Sequence, residues 1–354
     1  MGLLARTIEN IRPQDVAART QAKVRLDHLT MPHWALGRLM DLALDLAGMT
    51  GSPRPLTARK VIVTMAGDHG VVAEGVSKYP QEVTRQMVLN FVRGGAGINA
   101  MARVCGAVVV VVDMGVAGDL GELAREGKII SKRVAPGTQN IARGPAMTRR
   151  QATRAIEAGI EIANDLADAM DVFGTGDMGI GNTTPSAAVA AAITGAAPAE
   201  VTGRGTGIDD CQLALKVAVV QRALEVNKPD AADGLDVLSK VGGFEIGGIA
   251  GVILGAAARR KPVVIDGFIS TAGALIAQAL APSAADYVIA AHRSAENGHK
   301  VMQRHLNKEP LLDLGMRLGE GTGAAMAMCL VEAAGRILTE VATFEEASVS
   351  RADK

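Results

Sequence analysis

The sequence predicts an α/β fold, a doubly wound parallel sheet with a small helical domain built from both chain ends. Three observations predict it. Short β-branched runs alternate with longer helical stretches between residues 58 and 310, and strands separated by helices form right-handed crossovers in a parallel sheet. Most of these runs lack apolar–polar alternation, which is typical of strands buried on both faces. The flanking regions, 1–57 and 311–354, have largely helical patterns.

The first amphipathic helix is predicted before residue 50. Its apolar face is formed by residues at helical spacing: Leu36, Leu39, Met40, Ala43 and Leu46. A loop with Gly and Pro at residues 50–57 then marks the start of the sheet domain. We therefore expect an α/β domain at 58–310 and a helical domain that combines 1–57 with 311–354.

Five runs are predicted as strands: residues 61–63, 108–112, 171–173, 263–265 and 287–289. One helix is predicted between them from about residue 81 to 103. Another begins at Thr148, which has Gln151 at the capping-box spacing, and continues to residue 170. A last helix is predicted over 324–338, followed by a frayed tail at 348–354.

Composition argues against several classes of protein. The 37 Lys and Arg balance the 37 Asp and Glu, so we expect no nucleic-acid or anionic-membrane partner. Only 2% of residues are aromatic, too few for stacked-base readout of RNA. The three cysteines form no CxxC pair, and their odd number favours a reducing compartment. Because the longest apolar runs are shorter than the ~20 residues of a membrane span, we expect a soluble, cytoplasmic protein.

Polar residues and glycines follow all five predicted strands. Asp68 comes shortly after the first, Asp113 after the second, residues 174–184 after the third, Asp266 after the fourth and His292 after the fifth. In open α/β sheets the ligand crevice lies outside the carboxyl ends of the strands, so these residues are expected to converge. Taken singly, Asp68 and Asp113 are better explained as helix caps.

Ten of the 41 glycines fall in three short loops, at residues 174–181, 203–207 and 319–323. Such loops at helix starts expose amide groups that favour phosphate, although they can also serve only as tight turns. Asp209 could cap the helix after the second loop, and Arg204 or Lys216 could supply a cation. Glu320 in the third loop is better suited to accepting a proton than to holding an anion, with a purely structural helix-dipole role as the alternative.

Other functions are weighed on their motifs. Gly174-x-Gly176-x-x-Gly179 with Glu200 matches a dinucleotide fingerprint, but no β-branched strand precedes Glu200. A nicotinamide-dependent oxidoreductase and a non-enzymatic nucleotide sensor remain alternatives. The spacing of His292 and His299 is unlike that of a compact zinc motif, so no metal is expected. The residues by themselves indicate a mononucleotide- or phosphosugar-binding α/β enzyme.

Six segments carry a more specific resemblance: GDHGV (67–71), residues 75–103, GIGNTTPSAA (179–188), GRGTGIDD (203–210), DGFISTAGA (266–274) and GEGTGAA (319–325). In these segments and in their order the chain resembles the nicotinate-nucleotide:dimethylbenzimidazole phosphoribosyltransferases of cobalamin lower-ligand synthesis. The resemblance implies transfer of ribose 5-phosphate from nicotinate mononucleotide to 5,6-dimethylbenzimidazole or a related base. It also implies a Rossmann-like sheet domain, a homodimer and no cofactor.

The resemblance also implies roles for individual residues. Glu320 would be the general base, and Asp177, where the family commonly has Glu, would stabilise positive charge on the ribose. Lys216 would grip the phosphate. Further substrate-binding residues for the nucleotide would be Gly179, Asn182, Thr183, Gly205, Gly267 and Ser294. Tyr79, Gln86 and Leu318 would line the pocket for the base.

Overall fold

The computed structural model describes residues 2–205 and 207–350, which contain a six-stranded parallel sheet in the order β3-β2-β1-β4-β5-β6. The strands are β1 Lys60–Gly67, β2 Ala107–Gly115, β3 Ile130–Ser131, β4 Val172–Met178, β5 Val263–Ile265 and β6 Val288–Ala290. This order is that of a doubly wound sheet whose direction of winding reverses between β1 and β4. The predicted Rossmann-like α/β fold is therefore confirmed.

Fifteen α-helices lie in the described part of the chain. They are α1 Leu3–Asn10, α2 Val16–Leu26, α3 Arg38–Thr50, α4 Glu82–Arg93, α5 Gly97–Cys105, α6 Gly121–Arg125, α7 Arg149–Leu166, α8 Thr183–Thr194, α9 Pro198–Val201, α10 Asp210–Asn227, α11 Gly234–Val241, α12 Phe244–Ala258, α13 Phe268–Leu280, α14 His299–His305 and α15 Thr322–Glu340. Short 3₁₀ helices at Gly70–Glu74 and Pro282–Tyr287 complete the connections.

The helix predicted over 81–103 is two helices, α4 and α5. Gly94 ends α4 with a left-handed φ of 78°, a conformation that glycine adopts without steric cost. A Cβ on Gly95 would lie 2.5 Å from Asn90 Oδ1, so the break leaves no space for a side chain. The interruption turns the start of α5 toward the carboxyl ends of the strands.

The strand predicted over 171–173 is longer than expected, because β4 continues through Gly174 and Gly176 to Met178. Glycine weakens strand propensity, but it also marks places where another backbone approaches closely. A Cβ on Gly176 would lie 2.2 Å from the carbonyl oxygen of Glu320. These two glycines therefore belong to the sheet and not to a phosphate-binding turn, so the dinucleotide fingerprint is wrong.

Smaller corrections concern the ends of elements. Val108 on β2 is 51% exposed, so the first half of that strand is not buried on both faces. Tyr287 belongs to a 3₁₀ helix, and α7 ends at Leu166. The Thr148–Gln151 capping box is confirmed. Of the predicted frayed tail, residues 351–354 lie outside the described residues.

The two ends of the chain meet. Leu29 forms an antiparallel bridge with Thr343, the Arg25 guanidinium donates to the carbonyl of Leu338, and α15 packs against α3 and α2. α1, in contrast, packs against α7 and α12. The contacts of α2 and α3 support the division that we propose, a sheet domain at 58–310 and a helical domain from 1–57 plus 311–354.

Candidate active site

A cavity of about 580 Å³ opens beyond the carboxyl ends of β4, β5 and β6. This position is the one expected for a ligand site in an open α/β sheet. Eleven of the twelve site residues predicted from the sequence line it: Tyr79, Asp177, Gly179, Asn182, Thr183, Gly205, Lys216, Gly267, Ser294, Leu318 and Glu320. The fold thus brings together segments that are far apart in the chain.

Gln86 is the exception. It lies on the exposed side of α4, whereas the same helix presents Val83 and Met87 to the cavity. Val83 and Met87 are four residues apart and share one face of the helix, whereas Gln86 directly precedes Met87 and is turned about 100° away from it around the helix axis. Tyr79 and Leu318, which are 52% and 61% exposed, complete an apolar rim with these two residues.

Glu320 lines the cavity and is 5% exposed. Its Oε2 accepts a hydrogen bond from the amide of Ile98 at the start of α5, at 3.0 Å. Burial raises the pKa of this carboxyl, the Ile98 amide opposes the rise, and the negative charge of Asp266 adds to it. A carboxylate with a raised pKa is a stronger base than one in water.

The backbone around Glu320 is held in an uncommon conformation. Gly319, Glu320 and Gly321 have φ values of 86°, 65° and 100°, and a glutamate in the left-handed region is disfavoured. Such strain persists where surrounding contacts determine the geometry, which is typical of functional sites. Here the Thr64 hydroxyl donates to the carbonyl of Glu320 at 3.0 Å, and Gly176 allows the loop to rest on β4.

Asp177 is the second acid of the cavity. It lies near the end of β4 and is 6% exposed, and the Asn182 side-chain amide donates to its Oδ2 at 2.9 Å. Its Oδ1 has no hydrogen-bond partner among the described residues. Burial, and after it the negative charge of Asp266, raises the pKa of Asp177 well above its usual value. Asp177 therefore has a strong tendency to gain a proton or a cationic partner.

Lys216 provides the buried cation of the site. It extends from α10, is 1% exposed, and donates from Nζ to the Thr183 hydroxyl at 2.7 Å. Burial lowers the pKa of Lys216 to about 8, against an opposing effect of Glu296. A Cβ on Gly205 would lie 3.2 Å from Nζ, so the glycine loop runs directly past the ammonium group. Arg204, the other cation considered, is exposed and paired with Asp210.

His299 connects two of the lining segments. The amide of Ser294 donates to its Nδ1 at 2.9 Å, which leaves the proton on Nε2, 2.8 Å from the Thr271 hydroxyl. The Thr271 hydroxyl in turn donates to the carbonyl of Gly267 at 2.7 Å. Burial lowers the pKa of His299 to about 3, so the histidine is neutral and works as a hydrogen-bond bridge between Ser294 and Gly267.

Two groups of buried polar residues were not assigned roles from the sequence. Asp266 and His292 were located at strand ends, but the sequence does not show that Asp266 binds amides of the third glycine loop. His69 and Glu245 are 1% and 0% exposed, and His69 Nε2 lies 2.8 Å from Glu245 Oε1. Glu245 is the second residue of α12, a long apolar helix. The only sequence signal that could have pointed to Glu245 is its charge, because the residues around it are apolar or glycine.

Asp68 and Asp113 do not cap helices. Oδ2 of Asp68 accepts from the amide of Ala117 at 2.8 Å, and Asp113 accepts from the amides of Gly115 and Val116 at 3.0 and 2.9 Å. Both carboxylates therefore brace turns. Asp209, in contrast, is the N-cap of α10, as predicted, and accepts from the amide of Gln212.

Within residues 2–205 and 207–350, no group of three or more His, Cys, Asp or Glu is arranged to hold a metal ion. None of the helices in these ranges is both long enough and apolar enough to cross a membrane.

Comparison with known proteins gives consistent results over the whole chain. A family model described as "Phosphoribosyltransferase" matches residues 11–349. The nicotinate-nucleotide–dimethylbenzimidazole phosphoribosyltransferase of Syntrophotalea carbinolica is 65% identical over 351 residues, 99% of each chain. The protein of the same name from Desulfotalea psychrophila is 59% identical over the full length of both. A crystal structure of such an enzyme from Thermus thermophilus superposes with a TM-score of 0.90 at 47% identity, covering 96% of this chain and all of the other.

Proposed function

Since this chain belongs to the nicotinate-nucleotide–dimethylbenzimidazole phosphoribosyltransferase family, we propose that it performs the family's transfer in the cavity lined by Glu320, with Glu320 as general base. The chain is a pentosyltransferase of cobalamin biosynthesis. It moves ribose 5-phosphate from nicotinate mononucleotide to a nitrogen of 5,6-dimethylbenzimidazole, and α-ribazole 5′-phosphate and nicotinate are formed.

The observation that carries the assignment of Glu320 is its burial in the cavity wall with a raised pKa. As one benzimidazole nitrogen attacks C1 of the ribose, its other nitrogen must lose a proton, and the Glu320 carboxylate takes it. The bond from C1 to the pyridinium nitrogen breaks at the same time, and its electron pair neutralises the nicotinate ring. The leaving group needs no proton, so a single base is sufficient.

Asp177 is proposed to stabilise the positive charge that develops on the ribose. Its unpartnered Oδ1 is buried, and its raised pKa reflects burial and, after it, the negative charge of Asp266. A bound pyridinium nucleotide brings a cation to this place and so favours the ionised carboxylate. Asp177 is shorter than the Glu that the family commonly has at this position. The hydrogen bond from Asn182 would orient its carboxylate.

The phosphate is proposed to bind at the other end of the cavity, beside Lys216 and Thr183. The amides at the start of α8 and around Gly179, Gly205 and Gly267, with the Ser294 hydroxyl, offer further donors. The benzimidazole is proposed to lie against Tyr79 and Leu318, whose apolar surfaces suit a flat heterocycle.

We also propose a cytoplasmic homodimer. The exposed apolar side chains of Leu215 and Val226 on α10 give a surface that a second copy would cover. A molar mass by light scattering near twice 36.5 kDa would agree with the dimer, and a monomer at micromolar concentration would contradict it.

The test of the general base is Glu320→Gln, with Glu340→Gln at the exposed end of α15 as the matched control. Each protein is incubated with nicotinate mononucleotide and dimethylbenzimidazole, and nicotinate and α-ribazole 5′-phosphate are separated by chromatography. We expect Glu320→Gln to bind the nucleotide but to lose turnover by about 100-fold or more, and Glu340→Gln to react normally. Normal turnover by Glu320→Gln would refute the assignment.

A further inference from the structure

Asp266 directly follows β5, is fully buried, and does not line the cavity. Its carboxylate nevertheless reaches the loop that carries Glu320. Oδ2 accepts from the amide of Gly321 at 3.0 Å, and Oδ1 accepts from the amides of Gly323 at 2.6 Å and Ala324 at 3.1 Å. These amides are free at the start of α15, so one side chain from the sheet satisfies three of its donors.

The three hydrogen-bond partners are all donors, which is the pattern that an ionised carboxylate requires. Burial raises the pKa of Asp266, and the rise is opposed by His292, whose Nε2 lies 3.8 Å from Asp266 Oδ1, and by the three amides. Space for this arrangement exists because residue 323 is glycine. A Cβ there would lie 2.0 Å from His292 Cδ2 and 2.8 Å from Asp266 Oδ1.

The loop needs such a restraint, because three consecutive residues, Gly319 to Gly321, have left-handed backbone conformations. Thr64 holds the carbonyl of Glu320, and the Ile98 amide holds its carboxylate. Within residues 2–205 and 207–350, Asp266 is the only charged side chain that hydrogen-bonds to the backbone of this loop.

We propose that Asp266 is a positioning residue for the transfer: by binding the amides of Gly321, Gly323 and Ala324, it fixes Glu320 at the place where the acceptor base arrives. The inference rests on the proposed role of Glu320. It assigns to Asp266 no contact with either substrate.

A second consequence is electrostatic. The titratable groups that face the Glu320 loop are Asp177 from β4, Asp266 after β5 and His292 after β6. The charge of Asp266 opposes ionisation of Glu320. Removing that charge lowers the pKa of the base, so the acidic limb of the activity profile moves to lower pH.

The test is Asp266→Asn, with Asp113→Asn as the matched control. Asp113 is a buried carboxylate near the carboxyl end of β2 that accepts from two turn amides, but it does not line the cavity. In Asp266→Asn one oxygen is replaced by an NH₂ group that cannot accept from these amides. We expect kcat to fall about 10- to 100-fold, KM for nicotinate mononucleotide to change less than about threefold, and the acidic limb to shift to lower pH. Asp113→Asn should show none of these changes.

Hydrogen exchange separates this proposal from that of the general base. Asp266→Asn should lose protection at the amides of Gly321, Gly323 and Ala324, whereas Glu320→Gln should keep it. If Glu320→Gln turns over normally while the amides still depend on Asp266, the general-base assignment fails and the loop restraint stands.

Gly323→Ala displaces the carboxylate without removing it and should reproduce the loss of kcat. The proposal is overturned if Asp266→Asn keeps kcat and its pH profile. It is equally overturned if Asp113→Asn shows the same losses, or if neither Asp266→Asn nor Gly323→Ala folds into a state that binds the nucleotide.

Discussion

Replacing Lys216 by Met should weaken capture of the nucleotide through its phosphate. The side chain is 1% exposed, and methionine retains most of its apolar length. A hydrogen bond to a charged group contributes about 1.5–3 kcal/mol. Since each 1.4 kcal/mol is a factor of ten, kcat/KM for nicotinate mononucleotide should fall by about 10- to 150-fold.

The same variant should lose a pH dependence. The pKa of Lys216 is lowered to about 8 by burial, so the free enzyme loses the cation as the pH rises through that value. In the unmodified enzyme kcat/KM for the nucleotide should therefore decrease above about pH 8, and in Lys216→Met this decrease should be absent. Initial rates between pH 6.5 and 9.5 measure both effects.

Lys308→Met is the control for this prediction. Lys308 is a half-buried lysine whose pKa is also lowered by burial, but it borders another cavity. Its replacement should leave kcat/KM and the alkaline limb unchanged. A Lys216→Met enzyme within threefold of the original, or with the same alkaline limb, would show that the ammonium group does not hold the phosphate.

Two further predictions concern the cavity walls. Gly176→Ala places a Cβ 2.2 Å from the Glu320 carbonyl, so thermal unfolding should show a loss of roughly 1–3 kcal/mol together with reduced kcat. Gly144→Ala, where a Cβ meets no atom within 4 Å, should change neither, and equal effects in the two variants would contradict the close-approach argument. Gln86→Ala should alter KM for dimethylbenzimidazole less than about twofold, whereas Met87→Ala should raise it. A large effect at Gln86 alone would restore that residue to the base pocket.

The sheet could be predicted because its strands are buried and β-branched, a local property of the chain. The extension of β4 could not, since Gly174 and Gly176 disfavour strands unless another backbone needs the space. That backbone is the one at Glu320. Its contact with β4 depends on the tertiary structure and not on the local sequence. The break at Gly94 and Gly95 was likewise hidden by the apolar periodicity that continues on both sides of it.

Eleven of the twelve site residues predicted from the sequence line the cavity, largely because the polar residues follow strands whose carboxyl ends share one edge. The direction of a side chain was harder to predict. Gln86 of the family motif does not line the cavity, whereas Val83 and Met87 of the same helix do. Asp266 was found at the correct edge, but the amides that it binds lie on a loop far along the chain, and a hydrogen bond between distant segments leaves no periodic pattern.

The strained loop of residues 319–321 has a consequence for substrate traffic. The loop is held from four sides, by β1, β4, α5 and the residue after β5. It is therefore a fixed part of the cavity wall and is poorly suited to move during turnover. Passage of the heterocycle inward and of nicotinate outward is then left to the solvent-facing margin near Tyr79 and Leu318. Catalysis in this molecule would depend on bringing reactants to a stationary proton acceptor.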